Sequence, residues 1–503
     1  MNRSKKFAIN SISAAIYQVV IMIIGFIIPR VMLDVYGSEI NGLITSITQF
    51  ISYFTLVEAG LSSAAIYALY KPLAKQDWDE VSSIVVATKK FYNISGYIFV
   101  VLVIILSIFF PFFIDTNQLD NFSIMLLVIV LGGTAAIDFF SLGKYRALLT
   151  ADQKLYIISW SSTLSVIVNT IIIVILSYLR INIVLVRLIA LFSICLRSFL
   201  LYYYVKKHYQ LNFNTKANDS ALNKRWSALY LQILGSIQNG APVILATIFT
   251  TLKKISVFSI YNMVISGISG ILSIFTNGLS SSFGDIIARE EYDTLKKSYN
   301  EFEYMYYSLI SFIFGITFIM ILPFVNIYTK SIIDINYKDS LLAFLVTLNA
   351  LLYNLKTPQG MLVISAGLYK ETRIQTTIQG LILIIVGSLL APSYGIYGIM
   401  IGSILSNVYR DIDLLIYIPK KVTKLPIVNT LKKWLILLCE ILLLFFISNY
   451  FALSVDSYLE WVLYASFFSI IHIINILIFS LIFERNNLYS LFIRIKMLFK
   501  KSK

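Results

Sequence analysis

Nine ionisable side chains fall inside long apolar stretches of the chain: Glu58, Asp138, Arg187, Arg197, Lys356, Arg410, Asp411, Asp413 and Glu440. Each costs roughly 2.5 to 3.5 kcal/mol to place at the centre of a bilayer, so each should face protein or a watery cavity. Arg197 and Arg410 stand nine or ten residues before the Lys206-Lys207 and Lys420-Lys421 pairs, a depth that snorkelling covers only in part. Buried guanidinium and ammonium groups suit an anion such as a diphosphate, which must recover on entry the hydrogen bonds it leaves in water. Arg30, Arg187, Arg197, Lys356 and Arg410 are therefore candidate headgroup ligands. For Arg410, local pairing with Asp413 one turn away is an equal alternative. Glu58 and Asp138, each an isolated acid within a span, are candidate protonation or ion-coupling sites for H+ or Na+. Glu440, near a helix end, has a structural reading.

The elements that must position these groups are membrane helices. The chain has 503 residues, 58% hydrophobic and 13% charged, with a mean hydropathy of +0.80. That is more apolar surface than one soluble core can bury. Crossing about 30 Å of hydrocarbon takes about 20 apolar residues. Fourteen segments qualify, at about 7–29, 41–70, 91–114, 121–143, 155–179, 181–205, 226–252, 255–284, 304–329, 341–368, 374–395, 396–419, 434–455 and 461–483. With the N-terminus inside, most of the 41 Lys and Arg fall on that same side. The opposite gaps hold Arg30, Arg180, Lys253, Lys254, Lys330 and Lys338. The positive-inside rule then places both termini in the cytoplasm. Orientation and contact with anionic lipid account for the net charge of +15 without a nucleic-acid partner.

The chain also repeats. Pro29 meets Pro242, Pro111 meets Pro323, Leu155-Tyr156 meets Leu368-Tyr369, Arg197 meets Arg410 and Lys206-Lys207 meets Lys420-Lys421, all at offsets of 212 to 214. Gly60-Leu-Ser-Ser63 recurs as Gly278-Leu-Ser-Ser281 at an offset of 218. Two six-helix lobes follow, 1–207 and 226–421, related by an axis along the membrane normal because six is even. Residues 208–225 form a cytoplasmic linker. Residues 422–503 add two helices and a basic tail. Helices 2 and 8 are the most polar of their lobes, with Thr45, Ser46, Thr48, Gln49, Ser52 and Thr55 in one and Ser266, Ser269, Ser273, Thr276 and Asn277 in the other. A cavity lining and small-residue packing are the two explanations, and packing fits Gly398-Ile-Met-Ile-Gly402 better. The matched prolines are either hinges or helix ends.

No phosphate-binding loop, dinucleotide fingerprint or Cys/His ligand cluster is present, so neither an enzyme nor a cofactor is expected. Cys195 and Cys439 read as inert packing residues, and His472, alone on an apolar helix, as a hydrogen-bonded structural histidine.

Tyr36-Gly-Ser-Glu-Ile-Asn-Gly-Leu43, Glu58-Ala-Gly-Leu-Ser-Ser-Ala64, Tyr70-Lys-Pro-Leu-Ala74 and Arg146-Ala-Leu-Leu-Thr-Ala-Asp-Gln153 resemble the polysaccharide-repeat flippases of low-GC bacteria, over helices 1 to 12. These belong to the multidrug, oligosaccharidyl-lipid and polysaccharide exporter superfamily. The resemblance implies two six-helix bundles around a central cavity lined largely by helices 1, 2, 7 and 8. It implies a bacterial plasma-membrane protein that flips an undecaprenyl-diphosphate-linked oligosaccharide for capsule or related polymer assembly, alongside other polysaccharide-assembly membrane proteins. Lipid II flippases and drug-cation antiporters share the fold, although antiporters favour interior acids over Arg and Lys. A membrane scaffold or polymerase acting on the same carrier is the alternative from another class.

Overall fold

The structure, a computed structural model, describes residues 3–58, 61–114, 116, 118–218, 225–276, 279–451, 455–491 and 493. Gly60, Asn277, Gly278, linker residues 219–224 and most of the basic tail lie outside the described residues. Among those described, the chain is helical throughout and has no strand.

The helices are α1 (Arg3–Phe54), α2 (Leu61–Lys75), α3 (Trp78–Phe109), α4 (Asn121–Ile137), α5 (Gly143–Ala151), α6 (Leu155–Tyr178), α7 (Ile183–Ala190), α8 (Phe192–His208) and α9 (Arg225–Phe249). They continue with α10 (Leu252–Thr276), α11 (Leu279–Ala288), α12 (Tyr292–Tyr328), α13 (Ser340–Leu355), α14 (Thr357–Ser365), α15 (Arg373–Tyr394), α16 (Ile396–Ile418), α17 (Ile427–Ser448) and α18 (Tyr458–Phe483). Among the described residues, ten stretches are long and apolar enough to cross a membrane. The first, Ala8–Lys75, is long enough for two crossings, and α9, α16 and α17 occupy the remaining expected positions. The protein is an all-α polytopic membrane protein. Its outward apolar side chains, such as Leu459, Leu463 and Ile470 on α18, fit lipid contact.

Three sequence expectations change. The first helix does not end at Pro29: α1 runs through it, and the break falls at Gly37, whose φ of 80° and ψ of 176° suit glycine. Arg30 is therefore an interior helical residue. The second expected span is broken, because α1 ends at Phe54, a 3₁₀ turn covers Thr55–Glu58, and α2 begins at Leu61. Cys195 and Cys439 are free and exposed rather than packed. Of the matched prolines, Pro29, Pro242 and Pro323 lie inside helices, while Pro111 sits in the short turn that ends α3.

The chain forms two compact units, Met1–Ser259 and Ile260–Lys503. In the first, α9 packs on α1: Thr247 donates to Ser46 at 2.9 Å, and a Cβ on Gly240 would lie 2.3 Å from the Gln49 amide nitrogen. Part of the polar face of helix 2 is thus consumed in packing. Thr48 and Ser52 stay exposed. In the second unit, α15 and α16 meet through glycines. A Cβ on Gly398 would come within 2.6 Å of the Leu390 backbone, and one on Gly402 within 2.6 Å of the Gly387 nitrogen. That is the small-residue packing expected of this motif.

Candidate functional site

In the first unit the two interior acids converge on a residue outside the expected spans. The span expected at 121–143 stops at Gly143, but the helix continues through a π-turn, Asp138–Leu142, into α5, which carries Arg146. A π-turn adds a residue to the helical winding, moving positions 138 and 146 toward an i,i+7 relation on one face. Arg146 Nη1 lies 3.0 Å from Asp138 Oδ2, and its Nη2 lies 3.5 Å from Glu58 Oε1 on the 3₁₀ turn. The two acids expected to be isolated are bridged by one guanidinium, whose planar fork can reach both. The three side chains retain 26%, 24% and 27% of their exposure, so the cluster is only partly covered by protein. Local packing supports the bend: a Cβ on Gly143 would collide with the Tyr92 ring at 2.3 Å. Ser141 and Ser198, 2.8 Å apart, tie the π-turn to α8.

Arg197, on α8, interacts electrostatically with Asp138, and its Nε has no hydrogen-bond partner among the described residues. Arg187, on α7, donates through Nη2 to Met32 Sδ at 3.6 Å, a weak contact, and its buried Nε is also without such a partner. Arg30 is held by Asp34 one turn along α1, with Nε 2.9 Å from the carboxylate. Of the three candidate cations in this unit, Arg30 is thus ion-paired, whereas Arg187 and Arg197 each keep donor capacity.

The second unit builds a different arrangement. Lys356, at the joint between α13 and α14, donates to Asn407 Oδ1 on α16 and lies 4.5 Å from the centre of the Tyr353 ring. Asn407 accepts also from Gln379 at 3.3 Å and donates to Asn349 at 2.9 Å. Asp411, one turn further on α16, interacts with Lys356, yet neither buried carboxylate oxygen has a hydrogen-bond partner among the described residues. Arg410 pairs with Asp413, so the local alternative for this residue is the geometry observed.

No protein-family model matches the chain, and no curated protein matches it. Solved structures do. A lipid II flippase, MurJ, in an inward closed conformation, superposes with a TM-score of 0.69 at 16% identity, covering 95% of this chain and 99% of that one. The fold is that of MurJ. An inward-facing multidrug resistance MATE family transporter of the MOP superfamily follows at a TM-score of 0.66 and 14% identity, covering 85% of this chain and 98% of its own. A MATE structure in the bent conformation has a TM-score of 0.55 at 14% identity, covering 87% of this chain and 96% of its own.

The extent of the MurJ-like fold bears on the last two helices. Coverage of 95% leaves too few residues to omit both α17 and α18, whereas coverage of 85% leaves room for both. The first of them, α17, is anchored by charge. Lys433 on α17 lies 3.0 Å from Glu303 on α12, with both side chains nearly sealed at 4% and 1% exposure. Thr430 donates to Glu303 at 2.9 Å, the Gln359 amide donates to the same carboxylate at 3.2 Å, and Lys433 also donates to Asn300. The expected spans begin at 304 and 434, one residue past each partner, so run length alone misses the pair. Deeper in the same interface, Ser311 donates to Glu440 at 2.6 Å and the His472 ring lies 3.0 Å from the Ser311 carbonyl. Both residues have the structural partners expected of them.

Proposed function

We propose that this chain is a flippase that carries undecaprenyl-diphosphate-linked oligosaccharide repeat units across the bacterial plasma membrane for capsule or related surface polymer assembly. The observation that carries the reading is a MurJ-like fold over nearly the whole of both chains, combined with interior cations that suit a diphosphate. Both termini lie in the cytoplasm, as the distribution of Lys and Arg predicts. The lobes are residues 1–207 and 226–421, joined by 208–225 and followed by 422–503. Headgroup binding falls to Arg187 and Arg197 first. Lys356 is next, and Arg30 and Arg410 contribute less because Asp34 and Asp413 already hold them. Glu58 and Asp138 couple transport to H+ or Na+ through their shared Arg146.

The deciding experiment reconstitutes the full chain in proteoliposomes with a fluorescent lipid-linked oligosaccharide and measures its movement between leaflets. Flipping above protein-free vesicles supports the reading, and cells lacking the protein should accumulate cytoplasm-facing lipid-linked units. No flipping with intact protein would favour a scaffold or polymerase. Lipid II is the second cargo to test, favoured by the likeness to a lipid II flippase, and its faster movement in the same vesicles would reassign the substrate.

A further inference from the structure

The first unit carries a pocket where α8 ends and the chain turns back over the start of α3, with Tyr145, the neighbour of Arg146, on its wall. It has a volume of about 490 Å³ and is lined by Tyr145, Tyr202, Lys206, Tyr209, Gln210 and Phe213 among others. The wall is built rather than draped. Asn212 N donates to Ser82 Oγ at 3.0 Å, Asn218 N donates to the Ser83 carbonyl at 3.3 Å, and Trp78 packs edge-on against Tyr209 at 6.1 Å.

Three ammonium groups gather on these rings. Lys206 lies 5.8 Å from the centre of Tyr202, Lys144 lies 4.9 Å from Tyr145, and Lys89 lies 5.7 Å from Phe213. Lys89 and Lys144 are close enough to repel one another, so the site concentrates positive charge. Among the described residues, no carboxylate lines the pocket. Asp152 touches it only through the Tyr209 hydroxyl, which donates to it at 2.6 Å, and Asp152 is already paired with Lys154 at 2.8 Å and Lys6 at 3.6 Å. Burial pushes the Asp152 carboxyl up, but Lys154, Tyr209 and Lys6 outweigh it and hold it below the usual carboxylate range. It stays ionised on its own partners rather than on Lys89, Lys144 or Lys206.

We propose that this pocket binds the phosphate of an anionic membrane lipid. Lys89, Lys144 and Lys206 hold the phosphodiester oxygens, Gln210 and Asn212 offer amide donors, and the tyrosine rings cover the glycerol portion. The volume lies within the range of small-molecule sites and exceeds what inorganic phosphate alone would fill. The location agrees: the span Ile183–His208 ends at this pocket and the span Trp78–Phe112 begins beside it, and the ends of spans are where lipid headgroups lie. The site stands apart from the cargo reading, since it requires no transport.

Thermal stabilisation of the purified full-length chain in neutral detergent, titrated with phosphatidylglycerol, phosphatidylcholine or inorganic phosphate, tests it. Phosphatidylglycerol should stabilise at concentrations where the other two do not, and 0.5 M salt should weaken the effect, as screening of about 4 Å Debye length requires. K89Q/K144Q/K206Q should raise the half-saturating phosphatidylglycerol concentration by about tenfold or more, and K89R/K144R/K206R should retain most of the response. Lys206→Gln alone, expected to shift the curve in the same direction, serves if the triple variant is poorly folded. Equal responses of wild type and Gln variants would overturn the site. Equal stabilisation by phosphatidylcholine would do the same, and equal stabilisation by inorganic phosphate would overturn the lipid assignment in favour of a free anion.

Discussion

Arg146 shares its guanidinium between two acids, so losing one acid and losing the arginine have different consequences. Glu58→Gln and Asp138→Asn each leave Arg146 one anionic partner, and transport is expected to become less dependent on the ion gradient while protein levels hold. Arg146→Ala leaves two carboxylates near one another with only Arg197, beside Asp138, to offset them, and should lower flipping by about tenfold or more, with Lys restoring only part because it lacks the planar fork. Proteoliposome flux with and without a collapsed proton gradient measures both. Unchanged flux and gradient dependence in the two acid variants would remove the coupling role. Among the cations, a charge-assisted contact to a diphosphate is worth about 1.5 to 3 kcal/mol. Arg187→Ala and Arg197→Ala should therefore weaken carrier binding by about tenfold or more, whereas Arg410→Ala should be milder because Asp413 holds that side chain. Binding of labelled carrier, with protein abundance measured alongside, separates the two; a larger loss at Arg410 would reverse the ranking.

At the scale of elements, the longest described helix after α1 matters most. The 37 residues of α12 span about 55 Å at 1.5 Å per residue, well beyond the hydrocarbon core, and Glu303 lies about a third of the way along. Its partner Lys433 fastens α17 to α12. Removing one member of a sealed ion pair leaves an uncompensated charge and costs about 3 to 5 kcal/mol, while replacing both with apolar groups of similar volume can be nearly neutral. Lys433→Met should therefore lower the melting temperature in detergent markedly, and Glu303→Leu with Lys433→Met should recover much of the loss. A double variant as unstable as the sum of the singles would show that the polar network around Thr430, Gln359 and Asn300, rather than the charge pair, holds the helices. Each member of this pair stands one residue outside the apolar run that marks its span, which hides it from run length. The Gly398 and Gly402 contact is legible in the chain, because small residues four apart define a helix face locally.

For the whole molecule, the orientation inferred from Lys and Arg can be read directly. With Cys195 and Cys439 replaced, a single cysteine at position 253 should react with an impermeant thiol reagent added to intact cells, and one at position 216 only after lysis. Equal labelling would break the orientation and with it the cytoplasmic placement of both termini. Both native cysteines are exposed, so their replacement opens no cavity.

The sequence by itself determined the class and the order of the apolar segments, because apolar run length is a local property of a chain that lipid must cover. It also led to the expectation of a hydrogen-bonded His472, whose ring lies 3.0 Å from the Ser311 carbonyl. Which charges meet was decided by the tertiary structure. Arg146 reaches Glu58 across 88 residues and Lys433 reaches Glu303 across 130, separations at which no periodicity links one residue to the other. The lysine-and-tyrosine pocket arises in the same way: α3, α5 and α8 each contribute a cation whose meaning depends on the others, and only their packing brings the charges to one place.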